Sequence, residues 1–207
     1  MAFQSYNDLN DIHLDVLREI GNIGSGNAAT SLAGLLSKPV QIQVPKIGVL
    51  DFEQVIEELG GSETSVVGLL LTMDGDVSGM LMFLLEKDFA HMMLNTLLGT
   101  EFHDFSEIDE MGISAIQEVS NIMAGAYVGA IGGMTGLTID ISVPSICIDM
   151  VGAILSVPAI YYANISDKII FIEDEFSSDG DSMKSHVLMI PDVDSLKKII
   201  GNLGIEI

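Results

Sequence analysis

Asp15-Val-Leu-Arg-Glu19-Ile-Gly-Asn22-Ile-Gly-Ser-Gly26 has a counterpart later in the same chain, Ser114-Ala-Ile-Gln-Glu118-Val-Ser-Asn121-Ile-Met-Ala-Gly125. Laying Glu19 on Glu118 shifts the chain by 99 residues, and Glu19 to Pro45 then covers Glu118 to Pro144 without a gap. The identical pairs are Glu19/Glu118, Asn22/Asn121, Ile23/Ile122, Gly26/Gly125, Gly34/Gly133, Ile42/Ile141, Val44/Val143 and Pro45/Pro144. Average composition would give roughly 2 such matches by chance. Asp15 falls on Ser114, both short and oxygen-bearing. A period this long is not that of a solenoid, so duplication followed by fusion is the natural origin. The expectation is two repeats, 1–103 and 104–207, forming one compact unit with pseudo-two-fold symmetry.

The periodicity outside the motif supplies the rest of the fold. Leu14, Leu17, Ile20 and Ile23 recur at helical spacing and predict a helix from Asp11 to about Leu36, ended by Lys38-Pro39. Val40 to Val49 alternates as a strand, with Val40, Ile42 and Val44 on one side and Gln41 and Gln43 on the other. Strands are predicted over Val66–Met73 and Gly79–Leu85, around a turn at Asp74-Gly75-Asp76, and a helix over Lys87–Leu98 closed by Gly99. The second half gives a helix from about Glu107 to Ile131 and strands at Leu137–Asp149, Ala159–Ala163 and Lys168–Glu175. A polar loop at Phe176–Ser185, a strand at His186–Ile190 and a helix at Val193–Leu203 follow. Strands and helices mix without strict alternation, so the fold class is α+β, mostly antiparallel sheet with long motif-bearing helices.

Composition excludes several function classes. Lys plus Arg is 8 against 30 Asp plus Glu, a net charge of −22 that repels nucleic acid and anionic membranes. With 48% hydrophobic residues the chain is too apolar for disorder. Its one cysteine, Cys147, allows no intrachain disulfide, and no secretory signal opens the chain, so a cytoplasmic location is expected. The uncharged run Ile122–Ile139 holds five glycines and has acidic flanks, which favours a buried helix and strand over a membrane span.

On a helix, Asp15, Glu19 and Asn22 share one face, as do Ser114, Glu118 and Asn121. Each helix thus offers a carboxylate and a carboxamide about 5 Å apart along its axis. Asn and Gly lower helix stability, and a local cost recurring at the same place in both halves points to use. Pro45 and Pro144 cannot donate to a ladder, so an edge or strand end is expected for each. The repeated glycines, Gly26/Gly125 and Gly34/Gly133, are read as close backbone packing, since no strand precedes Gly24-Ser25-Gly26 to make a phosphate cradle. Nor is that tripeptide a nucleophile elbow. His13, His91, His103 and His186 show no ligand spacing, Asp74-Gly75-Asp76 lacks the ligands of a calcium loop, and Cys147 reads as core.

The run Leu14-Asp-Val-Leu-Arg-Glu-Ile-Gly-Asn-Ile-Gly-Ser-Gly-Asn-Ala-Ala-Thr30, with Pro45, resembles the first signature of the CheC family of chemotaxis CheY-phosphate phosphatases. Glu118-Val-Ser-Asn-Ile-Met-Ala-Gly125, with Pro144 and the later Ile148-Asp149-Met150, resembles the second. The likeness covers nearly the whole chain. It suits stand-alone CheC better than CheX, which has one motif per chain, or FliY, which carries extra domains.

The resemblance implies a hydrolase that dephosphorylates the aspartyl phosphate of the response regulator CheY, with both sites active. Glu19, Asn22, Glu118 and Asn121 would be catalytic, with Asp15, Pro45, Ser114 and Pro144 supporting. It implies no cofactor or metal of the chain's own, because Mg²⁺ belongs to the receiver. CheD, a receptor deamidase, is a further implied partner. A purely CheD-regulating module and a flagellar-motor component are the alternative roles. A monomer suffices, because the pseudo-symmetric mate is already in the chain. Both proteins being acidic, association should speed up with added salt.

Overall fold

The computed structural model describes residues 4–162, 168–178 and 181–205. Asn10 starts helix α1 (Asp11–Leu36): its side chain accepts from the backbone N–H of Ile12 and His13, and His13 Nδ1 accepts from Asn10 N in return. Ser37, in the left-handed region at φ 51°, closes it. Helix α4 (Glu110–Thr135) is built alike. Asp109 accepts from Gly112 N at 2.8 Å, and Gly136 at φ 73° ends the helix. Both motif helices are 26 residues long.

After α1 come β1 (Gln41–Ile42), β2 (Lys46–Asp51), α2 (Phe52–Glu58), β3 (Ser65–Gly75), β4 (Gly79–Leu85) and α3 (Lys87–Leu98). After α4 the same series returns as β5 (Ile139–Ile141), β6 (Ser145–Met150), α5 (Val151–Tyr162), β7 (Lys168–Ser178), β8 (Asp181–Pro191) and α6 (Val193–Asn202). The strands make one antiparallel sheet in the order β1-β7-β8-β4-β3-β5, with β2 also on β7 and β6 also on β3. Replacing each strand by its repeat mate returns the same order reversed, which is the pseudo-two-fold. The axis passes through the β4–β8 ladder at Phe83 and Val187, which pair with each other and hold equivalent places in the two halves, Phe83 opposite Leu69 of β3 and Val187 opposite Ile172 of β7. The halves exchange strands: the short strands after α1 pair with β7, and those after α4 pair with β3.

Side chains alternate along the strands, so the sheet has two apolar faces. Val67, Leu69, Leu71, Ile170, Ile172, Val187 and Met189 face a core shared with α1, α3, α4 and α6. Val66, Met82, Ile169, Phe171, Leu188 and Ile190 face a smaller core under α2 and α5. No helix among the described residues is long and apolar enough to cross a membrane.

Several expectations need correcting. The expected strands Val40–Val49 and Leu137–Asp149 each break in two just before β2 and β6, at Pro45 and Pro144, which lack the N–H that a ladder requires. Val44 does not join the face of Val40 and Ile42 but is exposed in that break. Ala159–Tyr162, expected as strand, completes helix α5, and residue 163 lies outside the described set. No helix is expected at 52–58, where Asp51 and Gln54 cap each other at 2.8 and 2.9 Å to start α2. The supposed polar loop is largely hairpin. Glu175 pairs with Lys184 and Ser177 with Ser182, so polar residues here carry cross-strand bonds, while residues 179 and 180 lie outside the described set. Cys147, expected in the core, is exposed, because on β6 only Ile146 and Ile148 turn toward the main core.

Candidate active site

Helices α1 and α4 pack side by side on the sheet. Leu17, Ile20, Ala28 and Leu32 of one and Ile116, Val119, Met123 and Tyr127 of the other turn inward. Glycine makes the close approaches possible. A Cβ on Gly24 would sit 2.5 Å from Tyr127 Cδ1, and one on Gly21 would sit 2.3 Å from Ile47 Cδ1 of β2. At Gly26, Gly34, Gly125 and Gly133 an added Cβ would meet nothing within 4 Å among the described residues. Close packing therefore does not explain the repeated glycines. It explains the unrepeated Gly21 and Gly24.

With that face buried, the opposite face is turned to solvent. Asp15, Glu19 and Asn22 are all exposed, and so are Ser114, Glu118 and Asn121. Among the described residues the side chains of Glu19, Asn22, Glu118 and Asn121 carry no hydrogen bond or ion pair, so each stays available to an incoming group. Pro45 is half-buried and Pro144 buried, each just ahead of β2 or β6. Gln117 Nε2 donates to the Pro144 carbonyl at 3.2 Å, which pins that corner at the level of Glu118.

The two sites differ at their edges. At the place of Gln117 the first copy has Arg18, the chain's single arginine, which donates to Asp15 Oδ1 at 2.6 Å. Ser114, at the place of Asp15, donates instead to its own helix at Glu110 O, 2.9 Å away.

Beneath this surface lies a buried polar chain that sequence reading missed. Ser25 Oγ and Tyr127 Oη are 2.9 Å apart, and Tyr127 Oη donates to Asp174 Oδ2. It links α1, α4 and β7. Burial pushes the Asp174 carboxyl up from 3.8 to about 6 and the Tyr127 phenol well above its ordinary range. Nothing in the spacing of Ser25, Tyr127 and Asp174 could have brought them together. Their equivalents in the other half are Ala124, Ala28 and Leu71, the last because Lys46 pairs with Glu173 just as its mate Ser145 pairs with Leu70.

Ser25 is buried and occupied by Tyr127. His13 caps α1, buried His186 bonds Glu86 at 2.8 Å, and His91 packs on Phe102. No group of three or more His, Cys, Asp or Glu side chains among the described residues could hold a metal ion. What remains is a carboxylate and a carboxamide on an open helix face, twice. Such a pair can orient and bond groups on another molecule but supplies no activated nucleophile.

The sequence pattern of the CheC-like family matches residues 12–49 and 111–148, the two motif helices with the strands that follow them. The chain is 32% identical over 203 residues to the CheY-P phosphatase CheC of Bacillus subtilis, covering 96% of this chain and 97% of the relative. It is 26% identical over 140 residues to the flagellar motor switch phosphatase FliY of the same organism, covering 67% of this chain and 36% of that one. In fold it is similar to Thermotoga maritima FliY, at a TM-score of 0.74 and 22% identity over 95% of this chain and 98% of that one. By two matched repeats and an identity that runs almost end to end, this chain belongs to the CheC-like family.

Proposed function

We propose that the chain is a protein phosphatase that hydrolyses the aspartyl phosphate of the chemotaxis response regulator CheY. The observation that carries this reading is the doubled Glu/Asn pair, exposed and uncommitted, in a chain whose described residues offer neither an activated nucleophile nor a metal site beside it. An acyl phosphate in a receiver comes with its own carboxylates and Mg²⁺, so a helper needs to add only orientation. Asn22 or Asn121 would accept a hydrogen bond from water through its carbonyl and donate through its amide, holding the water in line with the P–O bond. Water attacks phosphorus, the bond to the aspartyl oxygen breaks, and the receiver carboxylate and inorganic phosphate separate. Glu19 or Glu118 would bond a basic group beside the phosphate and fix the helix in register. Asp15 and Ser114 border the pair, and Pro45 and Pro144 shape the corner next to it. The work takes place in the cytoplasm, and one chain suffices.

The receptor deamidase CheD is proposed as a second partner. One observation favours a second protein surface: α5, on the opposite face of the sheet from α1 and α4, leaves Val157, Ile160 and Tyr161 exposed. Decay of a radiolabelled phospho-receiver with Mg²⁺ tests the main reading, and a pull-down with CheD tests the second. Decay that the chain does not accelerate contradicts the phosphatase assignment. A chain carrying Asn22→Ala and Asn121→Ala should still retain CheD, and a parent chain that does not retain it contradicts the second partner.

A further inference from the structure

Three more pairs of repeat-equivalent positions share an environment that the fold does not explain. Ile12 and Met111 are 61% and 65% exposed, and Val44 and Val143 are 86% and 82% exposed. A single exposed apolar side chain is ordinary. The pseudo-two-fold gives equivalent positions similar exposure, but it does not require an apolar side chain at either place in both halves, where most other positions of the repeats differ. Gly26 and Gly125 form the third pair. Among the described residues neither has a neighbour that an added Cβ would reach, and neither is in the left-handed region, so neither packing nor backbone there demands glycine. Mid-helix glycine lowers helix stability relative to alanine. It stands in both halves nevertheless.

These positions surround the Glu/Asn pair. At about 100° per residue, Ile12, Asp15, Glu19, Asn22 and Gly26 fall within an arc of about 80°, a strip about 21 Å long. Met111, Ser114, Glu118, Asn121 and Gly125 make the same strip on α4. Gly26 and Gly125 sit one turn beyond each Asn, and Ile12 and Met111 two turns before each Glu. Val143 stands beside the Glu118 turn, because Pro144 next to it is tied to Gln117. In the first half Ile47 packs against Gly21, which brings the Val44-Pro45 corner alongside α1 at the equivalent level.

We infer that Ile12, Val44 and Gly26 in one half, and Met111, Val143 and Gly125 in the other, are the docking footprint of the phosphorylated receiver around each Glu/Asn pair. The apolar side chains are its two posts, and the glycine leaves a low floor where the receiver's loops come over the Asn carboxamide. The charge of the chain selects this device. At −22 it cannot attract an Mg²⁺-binding receiver, whose pocket is lined with carboxylates, through long-range electrostatics. Burial of apolar area at the contact must hold the complex instead. The footprint rests on the phosphatase reading and adds the residues that select the protein partner.

The test uses a chain with one live site. In an Asn121→Ala background, Val44→Ser should raise the KM for phospho-receiver about tenfold while leaving kcat and the melting temperature unchanged, a size typical of losing one interface anchor. Gly26→Leu in the same background should lower kcat/KM at least tenfold without lowering the melting temperature, since the site is open in the free chain. Val143→Ser in an Asn22→Ala background should repeat the KM effect. An unchanged KM in the valine variants, or a fall in melting temperature showing that these residues serve the fold, overturns the footprint. A parent chain that fails to turn over receiver phosphate overturns the phosphatase reading itself, and the two failures are thereby told apart.

Discussion

Asp174 ends the buried chain that runs from Ser25 through Tyr127, and its second oxygen, Oδ1, has no partner among the described residues. Burial is the largest influence on it and raises the carboxyl from 3.8 to about 6, while the Ser25 and Tyr127 hydroxyls and the nearby His186 ring pull the other way. In the unfolded chain the group returns to its ordinary value. Below about pH 4 both states hold the proton, and the contribution of Asp174 to stability is fully present. As pH rises from there the unfolded chain releases the proton while the folded one keeps it, and the contribution falls. It is gone once pH has passed through the folded value of about 6. The gap between 3.8 and about 6 corresponds to about 3 kcal/mol, at about 1.4 kcal/mol per pKa unit. Asp174→Asn keeps an acceptor for Tyr127 and cannot ionise. Urea unfolding of parent and variant across about pH 4 to 8 isolates the effect, because the other acidic residues cancel in the difference. The stability difference should swing by about 3 kcal/mol in favour of the variant as pH rises, most of it between about pH 4 and 7. Parallel stability curves would refute the reasoning.

Gly24→Ala should lose about 1–3 kcal/mol, because the added methyl collides with the Tyr127 ring at the α1–α4 contact. Gly26→Ala, with open space around it, should instead gain up to about 1 kcal/mol. Thermal unfolding of the two variants checks both, and equal shifts would contradict the packing described for α1. Association with phospho-receiver should speed up with added salt, because screening relieves like-charge repulsion from a chain at −22. Stopped-flow rates that fall with salt would count against that.

The doubled motif makes the two long helices, the antiparallel sheet and the Glu/Asn faces legible in the letters alone. Period 3.6 and period 2 are local signals, and Leu17, Ile20 and Ile23 state the first plainly. Exchange of β2 and β6 between halves is not legible, since pairing Lys46–Asp51 with β7 rather than β3 depends on the whole sheet. Val44 misleads because alternation continues in the letters up to Pro45, while the ladder stops earlier. The Ser25–Tyr127–Asp174 chain joins residues 102 and 47 positions apart and breaks the repeat symmetry, so no pattern could announce it. The repeated glycines mislead for a related reason. Identity between halves marks Gly26 and Gly125 as required, but whether the requirement is a neighbour inside the chain or space outside it is a question only the packing answers.

If the carboxamides of Asn22 and Asn121 complete a hydrolytic site on another protein, removing them must abolish turnover and leave the fold intact. The most direct test is the rate of inorganic phosphate release from phosphorylated CheY with Mg²⁺, measured for the parent, Asn22→Ala, Asn121→Ala and the double variant. Each single variant should keep partial acceleration from the site left intact, and the double variant should fall to the receiver's own rate while its melting temperature stays that of the parent. A double variant that releases phosphate as fast as the parent would contradict the account.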